Sequence, residues 1–168
     1  SLLDDVVPPI NVLIVEDNVV NRKILEAFLS KRGIKYSSAS DGKEAVETWR
    51  CGGFHLILMD IQLPVMSGID ASKEIRRLER VNNVGQSLTG AIMGNKDIPK
   101  EDRLDRDVFR SPVIIVALTA SSLQSDKEEA LAAGCNDFLT KPVSFTWLAR
   151  KISEWGCMQA LIDFDGWR

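Results

Sequence analysis

The sequence predicts an α/β fold: a doubly wound, five-stranded parallel sheet with helices on both faces. Five short apolar or β-branched segments alternate with five segments whose apolar residues recur at helical spacing, and this alternation builds a parallel sheet. Several strand candidates are continuously apolar, which is typical of strands buried on both faces. The length of 168 residues corresponds to one domain of about 150 residues.

The first three strand–helix units are predicted before residue 81. Their strands are predicted at 11–15, 35–39 and 55–59. Their helices are predicted at about 18–33, 41–51 and 69–80. Asn18 is a residue type that caps helix starts, and Gly33 closes the first helix as a C-cap glycine does.

The last two units follow a break in the pattern. Their strands are predicted at 113–118 and 137–140, and their helices at 125–133 and 145–155. Between the third helix and the fourth strand lie 29 residues, 82–110, where such connections usually have about 2–6. Two interpretations stay open for this insertion: a tolerated, mobile surface loop, or a partly ordered loop with a partner role. A short helix is expected at 102–109.

We therefore expect a lead-in at 1–10, a domain at 11–155 that contains the insertion, and a tail at 156–168. The start at Ser1, without Met, suggests a fragment of a longer protein.

Composition excludes several classes of function. The formal net charge of −3 argues against nucleic acid as a partner, because that needs a basic patch. No apolar run approaches the ~20 residues that span a bilayer, and no signal peptide is visible, so no membrane partner and a cytoplasmic or nuclear location are expected.

The single histidine, His55, excludes multi-histidine metal sites and is interpreted as structural. Three cysteines without a C-x-x-C pair predict reduced thiols.

Five polar residues follow or end the predicted strands. They are Glu16, Asp17, Asp60, Thr119 and Lys141. Each alone has an ordinary structural explanation, such as a helix cap or a turn. Because sites in such sheets lie at the carboxyl ends of the strands, we expect all five to converge. Three crowded carboxylates repel one another unless a cation neutralises them, and hard oxygen ligands suit Mg²⁺.

This cluster predicts phosphoryl chemistry on a side chain. The sequence has no G-x-x-x-x-G-K-[ST] loop that would cradle a nucleotide. Carboxylates form aspartyl-phosphates in known enzymes, and Asp60 is the best nucleophile in the cluster. Lys141 and Thr119 can hold phosphoryl oxygens, so catalysis would consist of positioning and charge neutralisation.

Separated motifs in the same order carry a resemblance to a known family. They are Val15 to Asn18, Met59 to Pro64, Ala117 to Ala120, and Gly134 to Pro142. The chain resembles the response-regulator receiver domains of two-component phosphorelays, which belong to the CheY-like superfamily and have a flavodoxin-like fold. The long insertion and the sequence around Asp60 resemble, within that family, the fungal osmostress regulators that act above a MAP kinase kinase kinase.

The resemblance implies a role for each site residue. Asp60 would accept phosphate from a histidine-containing phosphotransfer protein. The chain would be a signalling domain with at most intrinsic phosphotransfer and autodephosphorylation activity. The implied Mg²⁺ ligands are Glu16, Asp17, Asp60 and the backbone carbonyl of Gln62. The downstream partner would be a MAP kinase kinase kinase.

The resemblance also implies a switch and a docking surface. Thr119 and Phe138 would change position on phosphorylation, although Phe138 lacks the hydroxyl that some relatives carry there. The Lys141–Pro142 bond would be cis. The phosphotransfer protein would dock on Val19, Val20, Pro142 and Val143, whereas Val20 could instead pack beneath the first helix.

Two other functions stay open. The first is a Mg²⁺-dependent phosphohydrolase with an aspartyl-phosphate intermediate, which usually needs a second aspartate at the position of Gln62. The second is an interaction module that is never phosphorylated, which the intact cluster of five residues disfavours. Trp147 and Trp155 are expected to pack in the core, with an exposed partner patch as the alternative.

Overall fold

A computed structural model of the chain describes residues 10–85 and 97–166. Most of the predicted lead-in and the middle of the predicted insertion lie outside these residues. In the described part, no helix is long and apolar enough to cross a membrane.

All five strands pair in parallel and form one sheet. They are β1 (Asn11–Val15), β2 (Lys35–Ala39), β3 (Leu56–Asp60), β4 (Ile114–Thr119) and β5 (Asp137–Thr140). Their order is β2-β1-β3-β4-β5, so the strand order reverses between β1 and β3, where doubly wound sheets bind their ligands. The predicted fold class is confirmed.

Five α-helices lie within the described residues, between the strands and after the last one. They are α1 (Val19–Lys31), α2 (Gly42–Trp49), α3 (Gly68–Val81), α4 (Gln124–Ala132) and α5 (Phe145–Gly166). Side-chain caps begin three of them: Asn18, Asp41 and Ser67 each accept a hydrogen bond from a backbone N–H three residues further on. These short polar side chains satisfy N–H groups that the first helical turn leaves without partners.

The predicted end of the last helix at Trp155 was wrong, because α5 continues to Gly166. The predicted helix ended just before Gly156. A glycine inside a helix costs only about 1 kcal/mol relative to alanine, and Gly156 is buried, where a larger side chain would need space. The division into a domain and a tail therefore falls inside a continuous helix.

Side chains alternate between two hydrophobic clusters, one on each face of the sheet. On β1, Leu13 and Val15 point to the cluster shared with α2 and α3, whereas Val12 and Ile14 point to the cluster shared with α1 and α5. This alternation explains why the strand is apolar throughout. Trp155 packs against the second cluster.

Two residues singled out in the sequence have structural contacts. Trp147 meets Trp155 edge to face, with ring centroids 6.4 Å apart. His55 accepts a hydrogen bond at Nδ1 from the Asn11 backbone N–H, at 3.0 Å. The histidine thereby joins the segment before β3 to the start of β1.

Residues 97–110 of the insertion, which we call the strap, pack against α2 and α3. Asn82 is buried, and its amide donates to the Asp102 carbonyl at 2.7 Å and accepts from the Leu104 N–H at 2.9 Å. Phe109 meets Trp49 edge to face, with centroids 5.1 Å apart. The part of the insertion that precedes β4 is therefore ordered.

The helix expected at 102–109 was wrong. Only a short 3-10 helix forms, at Lys100–Asp102. The backbone groups of Asp102 and Leu104 are bonded to Asn82 instead, and the Asp105 carboxylate accepts from the Asp107 N–H at 2.9 Å. Such local side-chain bonds compete with helix formation.

The contacts of Asn82 predict the effect of its removal. Asn82→Ala leaves the Asp102 carbonyl and the Leu104 N–H without their partner, and an unsatisfied buried group costs about 1–3 kcal/mol. We expect a loss of unfolding free energy of this size in urea, with faster hydrogen exchange in the strap. Lys100→Ala, at an exposed strap position, is the control. Unchanged exchange at 102–104 in the Asn82 variant would contradict this account of the strap.

Candidate functional site

The five predicted site residues lie together at the carboxyl edge of the sheet. Glu16 and Asp17 follow β1, Asp60 ends β3, Thr119 ends β4 and Lys141 follows β5. The Lys141 ammonium nitrogen lies 2.9 Å from Asp60 Oδ2 and 3.0 Å from Glu16 Oε1. Residues separated by up to 125 positions in the chain are thus joined directly.

The three carboxylates form one acidic cluster. Ligand oxygens of Glu16, Asp17 and Asp60 all lie within 4.8 Å of one another. Glu16 and Asp60 are only 1% and 5% exposed, whereas Asp17 is exposed. The cluster is therefore buried at its base and open to solvent on one side.

This donor set fits Mg²⁺. The ion prefers oxygen ligands, keeps several waters and commonly takes one or two carboxylates together with phosphate oxygens. With all three carboxylates ionised, the Lys141 ammonium leaves two negative charges, which a divalent cation balances. The open side beside Asp17 leaves room for water and for a phosphoryl group.

Backbone contacts hold Glu16 in place. Its N–H donates to the Ala39 carbonyl at 3.1 Å, and its own carbonyl accepts from the Arg22 guanidinium at 3.2 Å. The Asn18 N–H lies 3.4 Å from Glu16 Oε2. Arg22 therefore supports the site from the first turns of α1, a role that the sequence analysis did not predict.

Burial and neighbouring charges set the protonation of the cluster. The pKa of Glu16 is raised, chiefly by burial and by its contact with Asp60, against the lowering effect of Lys141. Burial acts to lower the pKa of Lys141, but hydrogen bonds and charge attraction from Asp60 and Glu16 outweigh it and raise that pKa. Lys141 is therefore a cation at neutral pH.

The two oxygens of Asp60 have different partners. Oδ2 accepts from Lys141, and Oδ1 accepts from the Gln62 N–H at 3.2 Å. Gln62 is exposed and reaches the site through its backbone. The Ile61 N–H donates to the Leu118 carbonyl at 3.1 Å, which fixes the chain just after Asp60 against β4.

Thr119 and Phe138 lie beside the acidic cluster on neighbouring strands. Thr119 is buried, and its hydroxyl accepts from the Ser121 N–H at 3.0 Å. Phe138 packs at the margin of the cluster that contains α3, with the Lys127 ammonium 4.8 Å from its ring centroid. The Lys141 N–H donates to the Thr119 carbonyl at 2.7 Å, and the Lys141–Pro142 bond is cis.

Apolar side chains are exposed next to the site. Val19 and Val20 are 51% and 67% exposed, so packing of Val20 beneath α1 was wrong. Pro142 is exposed, and Val143 is partly buried against the core. Ile24, on α1, is 47% exposed.

A further exposed apolar residue, Val65, lies in the loop after Asp60. Val65 is 80% exposed and has a φ of 67°, a backbone region that β-branched residues rarely adopt. The only sequence signal was an apolar residue between Pro64 and Met66, in a loop. Such a signal does not distinguish an exposed side chain from a packed one.

Comparisons with known proteins define the class of this domain. The response regulator receiver domain family matches residues 12–89. The Saccharomyces cerevisiae "Osmolarity two-component system protein SSK1" is 54% identical over 98% of this chain and 23% of its own length. Because the chain spans roughly a fifth to a third of such curated relatives, it corresponds to one part of them.

Two solved structures extend the comparison. A co-crystal structure of the S. cerevisiae histidine phosphotransfer protein Ypd1 with the receiver domain of its downstream response regulator Ssk1 matches with 54% identity and a TM-score of 0.77, over 97% of this chain and 99% of that one. The receiver domain of the Pseudomonas aeruginosa kinase PA1611, with magnesium in its active-site cleft, matches with 33% identity and a TM-score of 0.62, over 88% of this chain and 98% of that one.

The chain belongs to the response-regulator receiver domain family. Within it, the chain is similar to the Ssk1 group of fungal regulators, as the resemblance predicted.

The raised pKa of Glu16 predicts how the metal-free protein responds to pH. A carboxyl group with a raised pKa in the folded state contributes stability that is present below its unfolded pKa and is lost as pH rises through the folded pKa. We therefore expect Glu16→Gln to raise the urea midpoint at pH 7 in EDTA, and to have little effect below pH 4.

Glu47→Gln, at an exposed position on α2, is the matched control for the loss of one charge. Excess Mg²⁺ should reduce the advantage of the Glu16 variant at pH 7, because the ion neutralises the same carboxylate. An equal shift of the midpoint at both pH values would contradict this assignment.

Proposed function

We propose that this domain is a phosphorelay switch. Asp60 takes a phosphoryl group from a histidine of a phosphotransfer protein in a Mg²⁺-dependent reaction, and the change alters affinity for a downstream partner. The single observation that carries the proposal is the contact of Lys141 with Asp60 and Glu16 inside the acidic cluster.

The transfer carries one phosphoryl group from the donor histidine to Asp60. A carboxylate oxygen of Asp60 attacks phosphorus, the bond from phosphorus to the donor imidazole nitrogen breaks, and that nitrogen keeps the electron pair. Lys141 offsets negative charge on the phosphoryl oxygens, since positioning and electrostatics provide most of the catalysis in phosphoryl transfer. Glu16, Asp17, Asp60 and the Gln62 carbonyl would hold Mg²⁺, which supplies further charge neutralisation when bound.

Phosphorylation changes the charge at the site. A phosphoryl group adds about −1.5 to −2 units and new acceptor oxygens. The Thr119 hydroxyl, which now accepts from the Ser121 N–H, would turn to donate to a phosphoryl oxygen. Phe138 would then move into the space that Thr119 leaves, and the population of conformers at α4, β5 and α5 would shift. Phe138 has no hydroxyl, so this response would depend on packing.

The phosphotransfer protein would dock on the exposed apolar surface beside the site. Val19 and Val20 begin α1, and Pro142 and Val143 follow Lys141. Contiguous exposed apolar residues of this kind mark interaction sites. The binding of Ypd1 by the related Ssk1 receiver domain supports a partner of the same class for this chain.

The downstream partner would be a MAP kinase kinase kinase in osmostress signalling. The support is the similarity to a relative named for osmolarity signalling, together with the long insertion. A phosphohydrolase is disfavoured, because the position two residues after Asp60 holds Gln62, whose side chain is not an acid.

The phosphoacceptor assignment predicts the behaviour of Asp60→Asn. The amide is a poor nucleophile, so the variant should fold and take up no phosphate from a phosphorylated histidine phosphotransfer protein such as Ypd1. Intact-protein mass spectrometry after incubation with Mg²⁺ measures the uptake. Asp70→Asn, an exposed carboxylate on α3, should be labelled like the unmodified domain. Retained labelling of the Asp60 variant would end the proposal, and many turnovers on a small phosphoester would favour the hydrolase.

The docking assignment predicts a selective defect in Val20→Glu. A charge on this surface should lower the rate of transfer from the phosphotransfer protein by tenfold or more. Labelling by acetyl phosphate should be unchanged, because a small donor does not need the surface. Leu131→Glu, at an exposed apolar position on α4, controls for the added charge. Equal loss with both donors would show that the site itself was damaged.

A further inference from the structure

A groove of about 590 Å³ lies between α1 and α5, on the face of the sheet opposite α2 and α3. Ile24, Phe28 and Phe145 form its apolar walls. The rings of Phe28 and Phe145 stack with centroids 5.0 Å apart and an angle of 29° between their planes. This pair joins the two helices and gives one end of the groove a rigid aromatic wall.

Small residues give the groove its depth. Ala27 on α1 and Ala149 on α5 both line it, and a methyl side chain leaves the space between the helices open. On α1 the lining continues from Ile24 to Lys31. At 1.5 Å per residue, this part of the groove follows α1 for about 10 Å, or two helical turns.

The rim of the groove is basic. Lys31, Arg32 and Arg150 line it and are exposed, and no carboxylate belongs to the lining. None of the three forms an ion pair with a described residue; Arg32 instead lies over the Phe28 ring, 5.0 Å from its centroid. These three cations place a local positive field beside the apolar groove, although the chain as a whole has a net charge of −3.

The groove continues into the surface beside the phosphoacceptor site. Ile24 and Phe145 also line a second cavity, which reaches Lys141 and Pro142. The basic rim lies at the other end, away from Val19 and Val20. A partner in the groove would therefore touch the proposed phosphotransfer surface only along this shared border.

We propose that this groove binds an acidic amphipathic helix of a partner protein. Apolar side chains spaced at i, i+3, i+4 and i+7 would lie against the stacked aromatic rings and above Ala27 and Ala149, as in helix-in-groove recognition. Carboxylates along one edge of that helix would meet Lys31, Arg32 and Arg150, and this complementarity would set specificity and orientation. Binding of a β-strand is disfavoured, because strand addition needs a free strand edge, whereas helices line both sides here.

Fluorescence anisotropy with two labelled probes tests the proposal. The first is a synthetic helical peptide with leucines at i, i+3, i+4 and i+7 and flanking glutamates, and the second has lysines in place of the glutamates. The first peptide should bind the domain with micromolar affinity that weakens as salt rises. The second should bind at least tenfold more weakly.

Matched variants locate the binding. The charge reversal Lys31→Glu with Arg150→Glu should weaken binding of the acidic peptide at least tenfold. Lys43→Glu with Lys73→Glu changes two exposed cations on α2 and α3 and should leave binding unchanged. Ala149→Leu, which fills the groove with a good helix former, should also abolish binding. All three should keep the far-ultraviolet circular dichroism of the unmodified domain, and neither this control nor the binding measurement depends on the proposed relay function.

Several outcomes would overturn the proposal. They are equal binding of both peptides, no effect of charge reversal, and no binding of the acidic peptide. Self-association of the domain that is lost in the Ala149 variant, seen by sedimentation velocity, would assign the groove to a second copy. Binding to phosphatidylserine vesicles in place of the peptide would assign it to a lipid surface.

Discussion

Three carboxylates whose oxygens lie within 4.8 Å of one another repel one another, and the positive charge of Lys141 offsets part of this repulsion. Its ammonium contacts the two buried members, Glu16 and Asp60. Removing Lys141 would leave these two buried carboxylates without their cation, and an uncompensated buried charge costs about 3–5 kcal/mol. With all three carboxylates ionised, the charge that remains is negative, and this donor set fits a divalent cation.

The sheet order explains how this contact arises. β1 and β3 are neighbours, with β4 and β5 beyond them, so the ends of β1 and β3 place Glu16 and Asp60 side by side. Lys141, which follows the edge strand β5, reaches both carboxylates with its side chain. The Lys141 N–H is bonded to the Thr119 carbonyl, which ties the lysine backbone to β4. Thr119, at the end of β4, therefore lies between the strand that ends in Asp60 and the strand that carries Phe138.

The described surfaces of the molecule differ in their chemistry. The strap covers part of the face formed by α2 and α3 through Asn82 and Phe109. The opposite face, between α1 and α5, keeps an apolar groove with a basic rim. Val19 and Val20 are exposed beside the phosphoacceptor site. One small domain thus presents two adjacent surfaces of different chemistry.

The sequence alone determined the alternation of strands and helices, because buried parallel strands need continuous apolar runs and helices need an apolar face. It also determined the five site residues, since polar groups at strand ends in such a sheet converge. It did not determine which apolar residues stay exposed: Val20 and Ile24 have the chemistry of core residues, and only the packing of α1 against its neighbours decided their exposure. The path of the strap was likewise decided by tertiary contacts, because the backbone groups of Asp102 and Leu104 are bonded to the Asn82 side chain and not within a local helix. Gly156 does not end α5, because one glycine inside a helix costs only about 1 kcal/mol.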